Sequence, residues 1–324
     1  MTDGGVPAAP PRILAADPAG IAAAAAAILG GGIAALPTET VYGLAADARD
    51  AAAVARIYAA KGRPAFNPLI VHVTDVAAAR AIARLDAVAE ALAAAFWPGP
   101  LTLVLPKAAG CPVAAIVTAG LETVAVRVPA HPAMRAVIAA AGAPLAAPSA
   151  NRSGAISPTR AAHVAHSLGA AVPLILDGGA ARDGLESTIV APVGGAIRLL
   201  RPGPVTAEAI VAATGLPVIA AGAGDPVVAP GQLAAHYAPS KPLRLDATTA
   251  APHEYLIGFG PVAGDATLSA AGDPIEAAAR LFDLLHEADR SPRPAIAVAP
   301  IPAIGLGHAI RDRLARAAVG AAAG

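Results

Sequence analysis

Apolar segments of two lengths alternate along the chain. Short aliphatic runs bounded by glycine, proline or polar residues indicate buried strands, and longer alanine-rich segments indicate helices. One helix is predicted to begin at Asp17-Pro18 and end at Gly30, and another to begin at Asp50 and end at Gly62. The predicted strands are 33–36, 69–73, 101–105, 123–128, 174–176, 187–190, 243–245, 256–259 and 296–298. This alternation predicts an α/β protein.

Three more helices are predicted from their start signals. Ser157-Pro158 begins one that runs through Leu168, and Thr206 caps one that ends near Gly215. Asp273-Pro274 begins a third, in which Glu276 stands near the position of a capping box.

Residues 216–242 interrupt the alternation because glycine and proline recur too closely for regular structure. They are Gly222, Gly224, Pro226, Pro230, Gly231, Pro239 and Pro242. An irregular segment of ~20 residues is uncommon in a compact protein unless it has a function. We therefore predict a first domain over 14–215, a linker over 216–242 and a smaller α/β domain over 243–320.

Composition and charge narrow the classes of function. The 324 residues carry 23 basic and 23 acidic side chains, so the overall basic field that favours non-specific nucleic-acid binding is missing. Cys111 is the single cysteine, which excludes a disulfide framework and a multi-cysteine metal site and fits a reducing cytosol. The apolar run from Ile21 to Leu29 is too short to cross a bilayer. We expect a cytoplasmic protein without a membrane anchor.

The common nucleotide-binding signatures are missing from the sequence. No Gly-Lys pair occurs, which excludes a Walker A loop, and no G-x-G-x-x-G follows a predicted strand. Any bound nucleotide must have its phosphates held by other means.

Polar clusters instead stand where predicted elements end. Pro37–Gly43 follows a buried strand and is read either as a capped turn or as a binding loop. Lys61 and Arg63 lie just past a helix C-terminus, where cations either offset the helix dipole or form a rigid fork for phosphate oxygens. Alternation along 123–127 puts Thr123 and Arg127 on one strand face, as solvated residues or as a carboxylate clamp.

The remaining clusters are Ala147–Asn151 with Ser157 shortly after, Gly184–Thr188, and Arg201–Gly203, and each alone is compatible with a turn. His72, in an apolar strand, is expected to be a satisfied core residue. His163 and His166 are expected to be solvated on one helix face. The last helix is expected to expose Arg311, Asp312, Arg313 and Arg316.

Taken together and in order, the clusters resemble the Sua5/YrdC family, the threonylcarbamoyl-AMP synthases. The matching stretches are 37–43, 61–63 with 67–72, 96–100, 123–129, 147–151, 185–189 and 200–203. The linker also resembles the family's long form, through Ala229-Pro230-Gly231 and His236-Tyr237-Ala238-Pro239. One departure is Phe66, which stands where the family often has a polar residue.

This resemblance implies a fold and a reaction. It implies a YrdC-like, twisted, largely open α/β sheet with a concave active-site face, followed by a smaller Rossmann-like Sua5 domain. It also implies a nucleotidyltransferase that forms threonylcarbamoyl-AMP and pyrophosphate from L-threonine, bicarbonate or CO2, and ATP. The product serves the N6-threonylcarbamoyladenosine modification of tRNA and passes to a tRNA threonylcarbamoyltransferase complex. Direct contact with tRNA stays open.

The resemblance also implies roles for individual residues. Those expected to hold threonine are Thr40, His72, Arg127, Ala147 and Ser187. Those expected to hold ATP are Lys61, Arg63, Asn67, Thr123, Ser149, Asn151, Ser157, Arg201 and Tyr237. Lys61 and Arg63 are the expected catalytic cations. Mg2+ is expected on the ATP phosphates, without protein side chains assigned as its ligands.

The linker is expected to act as a lid over the nucleotide. Glycines let such a segment bend and prolines keep it extended, so it can lie across a cleft without a core of its own. Tyr237 is its one aromatic residue and the natural anchor. The alternative is a passive tether.

Two other functions are associated with a fold of this kind. A YrdC-like fold also suits a double-stranded-RNA or ribosome-binding module, which zero net charge and few lysines disfavour. The related carbamoyl-transfer protein of hydrogenase maturation carries cysteine-rich zinc motifs, which a single cysteine excludes.

Overall fold

The computed structural model describes residues 9–222, 229–230 and 235–322, whose strands form two sheets. The larger sheet has eleven strands in the order β1-β8-β2-β3-β7-β4-β6-β5-β9-β10-β11. In chain order these are β1 (Arg12–Ala15), β2 (Ala34–Leu36), β3 (Gly43–Asp47), β4 (Ile70–His72), β5 (Leu101–Pro106), β6 (Thr123–Arg127), β7 (Leu145–Ala146), β8 (Leu174–Asp177), β9 (Thr188–Val193), β10 (Ala196–Arg201) and β11 (Val218–Ala220). The α/β prediction is confirmed.

Helices cover both faces of this sheet. They are α1 (Pro18–Leu29), α2 (Ala51–Lys61), α3 (Val76–Arg80), α4 (Ala87–Phe96), α5 (Pro132–Ala141), α6 (Ala161–Leu168) and α7 (Ala207–Thr214), with a 3-10 turn at Gly169–Ala171. Successive residues of β2 show the two-sided packing. Ala35 joins the core under α2, α4, α6 and α7, whereas Ala34 and Leu36 join the core under α1 and α5.

The smaller sheet has four parallel strands in the order β12-β15-β13-β14. They are β12 (Leu243–Arg244), β13 (Glu254–Gly258), β14 (Ala266–Thr267) and β15 (Ala295–Val298), and two helices, α8 (Pro274–Arg290) and α9 (Gly307–Ala321), accompany them. None of the helices in the described part of the chain has the length and apolarity that crossing a membrane requires.

Local signals explain most element boundaries. The Asp17 side chain accepts from the amide of Gly20 at the start of α1, and Asp50 accepts from the amides of Ala52 and Ala53 at the start of α2. Gly62 ends α2 with a φ of 60°, a left-handed conformation that glycine adopts without strain. Strands β1, β3, β7, β10, β11 and β14 and helices α3, α4 and α5 are not predicted from the sequence. Most of them are short or rich in alanine, which gives little periodic signal, and β10, with six residues and one alanine, is the exception.

The predicted start of the helix at Ser157 is wrong, since α6 begins at Ala161. Residues 157 and 159 use their polar groups on distant partners instead of on a helical turn. The Ser157 hydroxyl donates to Glu186, and the Thr159 hydroxyl donates to Asp283 at 2.7 Å.

Glu276 does not complete a capping box. The amide of Asp273 donates to the hydroxyl of Ser269, and that hydroxyl donates to Glu276 at 2.5 Å. Ser269 therefore lies between the amide of Asp273 and the carboxylate of Glu276, which would hydrogen-bond directly in a capping box.

Two predictions of solvent exposure are wrong. His163 is buried and stacks on His286 of α8, with ring centroids 3.9 Å apart, although His166 is exposed as expected. Arg313 is 0% exposed, although Arg311 on the same helix is exposed. His163 of the first domain contacts His286 of the second domain, and Arg313 of the second domain contacts Glu186 of the first.

Candidate active site

A small cleft lies where the polar clusters converge. Its lining residues are Thr38, Thr40, Val41, Gly43, Arg63, Ile70, His72, Arg127, Ala147, Pro148, Ser149, Glu186, Ser187, Arg201, Pro230, His236 and Tyr237. All five residues expected to hold threonine are among them. Four of the nine expected to hold ATP are also there, namely Arg63, Ser149, Arg201 and Tyr237.

Two loops cross at the floor of the cleft. The amide of Leu44 donates to the carbonyl of Pro148 at 2.7 Å, and the amide of Ala150 donates to the carbonyl of Tyr42 at 2.8 Å. A Cβ on Gly43 would lie 3.2 Å from the Cβ of Ala147, so a small residue is needed at this crossing. The clusters 37–43 and 147–151 therefore form one rigid binding surface.

Arg127 dominates one half of the cleft. Its guanidinium donates to Glu39 at 2.7 Å, to the hydroxyl of Thr40 at 3.0 Å and to the carbonyl of Gly99 at 3.1 Å. Burial by itself raises the pKa of Glu39, but the charge of Arg127 and the amide of Ala130 outweigh it and lower that pKa to about 2. The solvated reading of Arg127 is wrong, because this side chain is fixed in the cleft.

His72 lies beside Arg127, since β4 and β6 pair with these two residues in register. Burial first, and then the charge of Arg127, lower the pKa of His72 to about 3, so its imidazole is neutral at physiological pH. Its Nδ1 atom is buried and has no hydrogen-bond partner within the described residues. His72 is therefore not the satisfied core residue that its apolar strand suggested.

Arg63 lines the other half of the cleft, and Lys61 is buried behind it without belonging to the lining. The ammonium of Lys61 donates to the carbonyls of Ser149 and Asn151, each at 2.5 Å. Arg63 donates to the carbonyls of Asn67 and Pro68. Burial, reinforced by Arg63, lowers the pKa of Lys61 well below its ordinary value, and burial lowers the pKa of Arg63 to about 10. Lys61 thus contacts the opposite loop and does not merely neutralise the end of α2.

Arg201 fixes the loop that carries Ser187. Its Nε and Nη2 atoms donate to the Ser187 carbonyl at 3.1 and 3.0 Å, and Nη2 lies 3.1 Å from the Ser187 hydroxyl. That hydroxyl also shares a 2.7 Å hydrogen bond with Thr102. A Cβ on Gly203 would lie 2.5 Å from the amide nitrogen of Thr188, so the two loops touch through backbone.

The other residues expected at the nucleotide lie behind or away from the cleft wall. Asn67 and Asn151 are buried, and the Oδ1 atom of each has no partner within the described residues. Ser157 is 0% exposed and donates to Glu186. Thr123 shares its strand face with Arg127 but stands at the opposite end of β6, partly exposed and outside the cleft lining.

Part of the linker lies against the cleft. Pro230, His236 and Tyr237 contribute to its lining, whereas residues 223–228 and 231–234 of the linker fall outside the described residues. The amide of Ala238 donates to the carbonyl of Gly154 at 2.8 Å, which holds this segment on the first domain. The hydroxyl of Tyr237 and Nδ1 of His236 are buried without a partner in the described chain.

Three polar residues of the cleft lining, Thr38, Glu186 and His236, lack a role in the sequence-based prediction, and so does Glu39, which holds Arg127 from outside the lining. Thr38 stabilises its own turn by accepting from the amides of Thr40 and Val41. Glu39, Glu186 and His236 stand inside or next to the polar clusters, which is the one signal that could have selected them. Their partners are too far along the chain for sequence spacing to reveal.

The arrangement suits ligands that carry two anionic groups. One half of the cleft offers the Arg127 guanidinium with the hydroxyls of Thr40 and Ser187, a set that fits a carboxylate. The other half offers Arg63 and Arg201, with Lys61 buried behind them, and these cations fit phosphate oxygens. No group of three or more His, Cys, Asp or Glu side chains within the described ranges is arranged to hold a metal ion.

Comparison with known proteins agrees with this geometry. Residues 26–203 match the Sua5/YciO/YrdC family model, described as telomere recombination, and residues 205–319 match the threonylcarbamoyl-AMP synthase C-terminal domain. The chain is 40% identical to the threonylcarbamoyl-AMP synthase of Bacillus subtilis, covering 93% of each protein. It is also 40% identical to that of Pyrococcus abyssi, covering 91% of this chain and 92% of the relative. The crystal structure of P. abyssi Sua5 with L-threonine superposes with a TM-score of 0.87 at 37% identity, over 96% of this chain and 98% of that one.

Proposed function

This chain belongs to the Sua5/YrdC family of threonylcarbamoyl-AMP synthases, and we propose that it forms threonylcarbamoyl-AMP and pyrophosphate from L-threonine, bicarbonate or CO2, and ATP. It is a nucleotidyltransferase that serves the threonylcarbamoyladenosine modification of tRNA. The observation that carries the proposal is the convergence of all five expected threonine residues in one cleft.

Threonine is positioned by the Arg127 half of the cleft. Its carboxylate pairs with the guanidinium of Arg127, which Glu39 holds in place, and the hydroxyls of Thr40 and Ser187 complete the polar surface. The neutral imidazole of His72 adds a polar atom without a second charge.

The reaction needs alignment more than a strong base. The threonine amine and CO2 form an N–C bond and release a proton to water, giving a carbamate anion. A carbamate oxygen then attacks the α-phosphorus of ATP, and the bond from that phosphorus to the pyrophosphate oxygen breaks. Buried cations that face the phosphates stabilise the charge on the departing pyrophosphate. Lys61, Arg63 and Arg201 supply these charges.

Mg2+ is proposed as a counter-ion of ATP rather than as an ion held by this chain. The two carboxylates at the cleft are committed elsewhere, since Glu39 pairs with Arg127 and Glu186 pairs with Arg313. The ion would therefore arrive on the phosphates and neutralise their charge.

We retain the proposal that the linker acts as a lid. Tyr237 is 1% exposed and lines the cleft, so its ring is placed to cover a nucleotide. Closing the site would protect a labile mixed anhydride from water. We also propose that the product passes to a tRNA threonylcarbamoyltransferase complex in the cytoplasm.

The alternative of an RNA-binding module has less support from the same residues. A duplex would need exposed cations for its phosphates. Lys61, Arg63 and Arg201 are instead at most 8% exposed, so their charges are not displayed on the surface that a double helix would contact.

The function is tested by measuring pyrophosphate release with each substrate omitted in turn. Release should require threonine, bicarbonate and ATP together, and mass analysis should find threonylcarbamoyl-AMP. Equal release with threonine and ATP in CO2-depleted buffer would indicate ordinary aminoacyl adenylation and would overturn the proposal.

A further inference from the structure

We propose that Arg313, on the last helix of the second domain, is a positioning residue for the nucleotide half of the cleft. This inference rests on the proposed function, because it connects the second domain to the binding of one substrate, ATP. Arg313 does not line the cleft itself, so it acts through the residues that it contacts.

Arg313 contacts three separate segments of the site from behind. Its Nε atom donates to Glu186 at 2.7 Å, and its Nη2 atom donates to the carbonyl of Pro202 at 2.9 Å. Its guanidinium carbon lies 5.2 Å from the centre of the Tyr237 ring, within the range of a cation–π contact. The fourth partner, Asp312, accepts from Nη1 at 2.7 Å and orients the guanidinium from its own helix.

Glu186 connects Arg313 to Ser157. One oxygen of the Glu186 carboxylate accepts from Arg313, and the other accepts from the Ser157 hydroxyl at 2.5 Å. The carbonyl of Ser157 lies 3.1 Å from Nε2 of His286, on α8 of the same second domain. The hydroxyl of Ser157 is therefore held by Glu186, which Arg313 of the second domain contacts, and its carbonyl is held by His286 of the second domain.

Each of the three contacts leads to a residue assigned to ATP. Glu186 leads to Ser157, Pro202 is the neighbour of Arg201, and Tyr237 is contacted directly. The threonine half is built differently, because Arg127 is held by Glu39, Thr40 and Gly99 of the first domain. The second domain thus reaches the nucleotide half and, because Arg201 holds Ser187, also one residue of the threonine half, whereas the contacts of Arg127 stay within the first domain.

The surrounding packing makes this coupling rigid. Tyr237, Leu185 and Ile156 belong to the same apolar cluster as Phe282 and Leu314, so the core of the second domain continues to the back of the cleft. A Cβ on Gly320 of α9 would lie 2.7 Å from the Cβ of Ala238 in the linker. A close-packed contact of this kind transmits displacement instead of absorbing it.

An arginine suits this position better than any other cation. Its planar fork can donate to a carboxylate and a carbonyl at once while its face rests on an aromatic ring. A lysine could satisfy one of these partners but not all three. Loss of the guanidinium would also leave Glu186 as an unpaired buried charge, which is strongly unfavourable.

The competing explanation is that Arg313 only joins the two domains. The chain offers a control, because Arg160, immediately before α6, pairs with Asp283 of α8 at 2.7 Å across the same two domains. Neither residue lines the cleft. Arg160→Ala therefore weakens the domain contact without touching the site.

The experiment compares Arg313→Met, Arg313→Lys and Arg160→Ala with the wild-type full-length chain. Calorimetry would measure the affinity for threonine and, separately, for a Mg2+-bound ATP analogue with a methylene between the α and β phosphates. Both Arg313 variants should bind the ATP analogue about 10-fold more weakly or worse, which corresponds to the loss of one charge-assisted hydrogen bond. Their threonine affinity should fall by a clearly smaller factor, because Arg127 keeps its contacts within the first domain, and Arg160→Ala should bind both ligands normally.

Unchanged affinity for the ATP analogue, or an equal loss of both affinities, would overturn the proposal. If Arg313→Met does not fold, the double variant Glu186→Gln/Arg313→Met removes both buried charges and should restore folding but not nucleotide affinity. Recovery of nucleotide affinity in that variant would also refute the positioning role. Failure of the wild type to release pyrophosphate would instead refute the proposed function, so the two failures are distinguishable.

Discussion

The guanidinium of Arg127 lies 2.7 Å from the carboxylate of Glu39, and both side chains are at most 4% exposed. The pKa of Glu39 falls from its ordinary value of 4.5 to about 2 in the folded chain. Between these two pH values the unfolded chain binds more protons than the folded one, so stability decreases as pH falls. The shift corresponds to about 3 kcal/mol of stability that is present above pH 4.5 and lost toward pH 2.

Glu39→Gln should flatten this acid dependence and weaken threonine binding. Removing the carboxylate leaves Arg127 buried without its partner, which costs about 3–5 kcal/mol at neutral pH. Denaturant unfolding at pH 7, pH 5 and pH 3 would measure the stability and its acid dependence, and calorimetry at pH 7 would measure the threonine affinity. Glu90→Gln, at an exposed ion pair with Arg80, is the control and should cost at most about 1 kcal/mol. Equal acid dependence in Glu39→Gln and wild type would contradict this prediction.

Lys61→Met should reduce pyrophosphate release by about 100-fold, because the site loses a buried cation and both of its bonds to the 149–151 loop. A modest decrease in melting temperature should accompany the loss, since the loop is no longer held. Lys107→Met, at a partly exposed lysine paired with Glu122, should leave release unchanged. Normal turnover in Lys61→Met would show that its cation is structural only.

The affinity for ATP should also decline toward alkaline pH through Lys61. Burial lowers the pKa of this ammonium, so the free enzyme loses its charge at a lower pH than an exposed lysine would. The ATP phosphates bind the charged ammonium of Lys61 better than its neutral amine. At a pH where Lys61 is partly deprotonated, ATP binding is therefore accompanied by proton uptake. Calorimetry in two buffers of different ionisation enthalpy should detect proton uptake on binding at alkaline pH. The absence of uptake in wild type, or its persistence in Lys61→Met, would rule out this assignment.

Gly203→Ala should impair the site by steric contact alone. The new Cβ would lie 2.5 Å from the amide nitrogen of Thr188 and 2.7 Å from the carbonyl of Glu186, so the Ser187 loop must move. We expect about 1–3 kcal/mol of destabilisation and a clear loss of turnover. Gly194→Ala is the control, because its left-handed φ of 56° adds strain where no atom lies within 4 Å. That variant should lose stability but keep its turnover, and the same pattern in Gly203→Ala would disprove the steric argument.

The stacked pair of His163 and His286 should make the domain contact sensitive to acid. Burial lowers the pKa of His286 from 6.5 to about 4 and also lowers that of His163, with Arg160 and Arg290 opposing protonation and Asp283 favouring it. The unfolded chain therefore binds more protons as pH falls below 6.5, and stability decreases toward pH 4.

His286→Gln should reduce this acid sensitivity while keeping a donor for the carbonyl of Ser157. The shift of His286 corresponds to about 3 kcal/mol, so the slope of stability between pH 6.5 and pH 4 should become visibly flatter. His166→Gln, on the exposed side of α6, should keep the wild-type slope. A wild-type slope in His286→Gln would count against the pair as its source.

The sequence determined the features that depend on near neighbours. Asp17 and Asp50 cap their helices through amides two or three residues away, so their positions are readable without a fold. Buried strands such as 101–105 are marked by their own aliphatic residues. The polar clusters at strand ends marked candidate sites one by one, each of them also compatible with a turn. That Thr40 and Ser149 belong to one site was implied by the family resemblance.

Tertiary structure alone decided which charges are buried and what they contact. Arg313 and Glu186 are 127 residues apart, and nothing near Arg313 distinguishes it from the exposed Arg311 of the same helix. His163 and His166 look equally polar in sequence, but only His163 faces the second domain. The free energy of burying an ion depends on the partner that the fold supplies, and local sequence does not encode that partner.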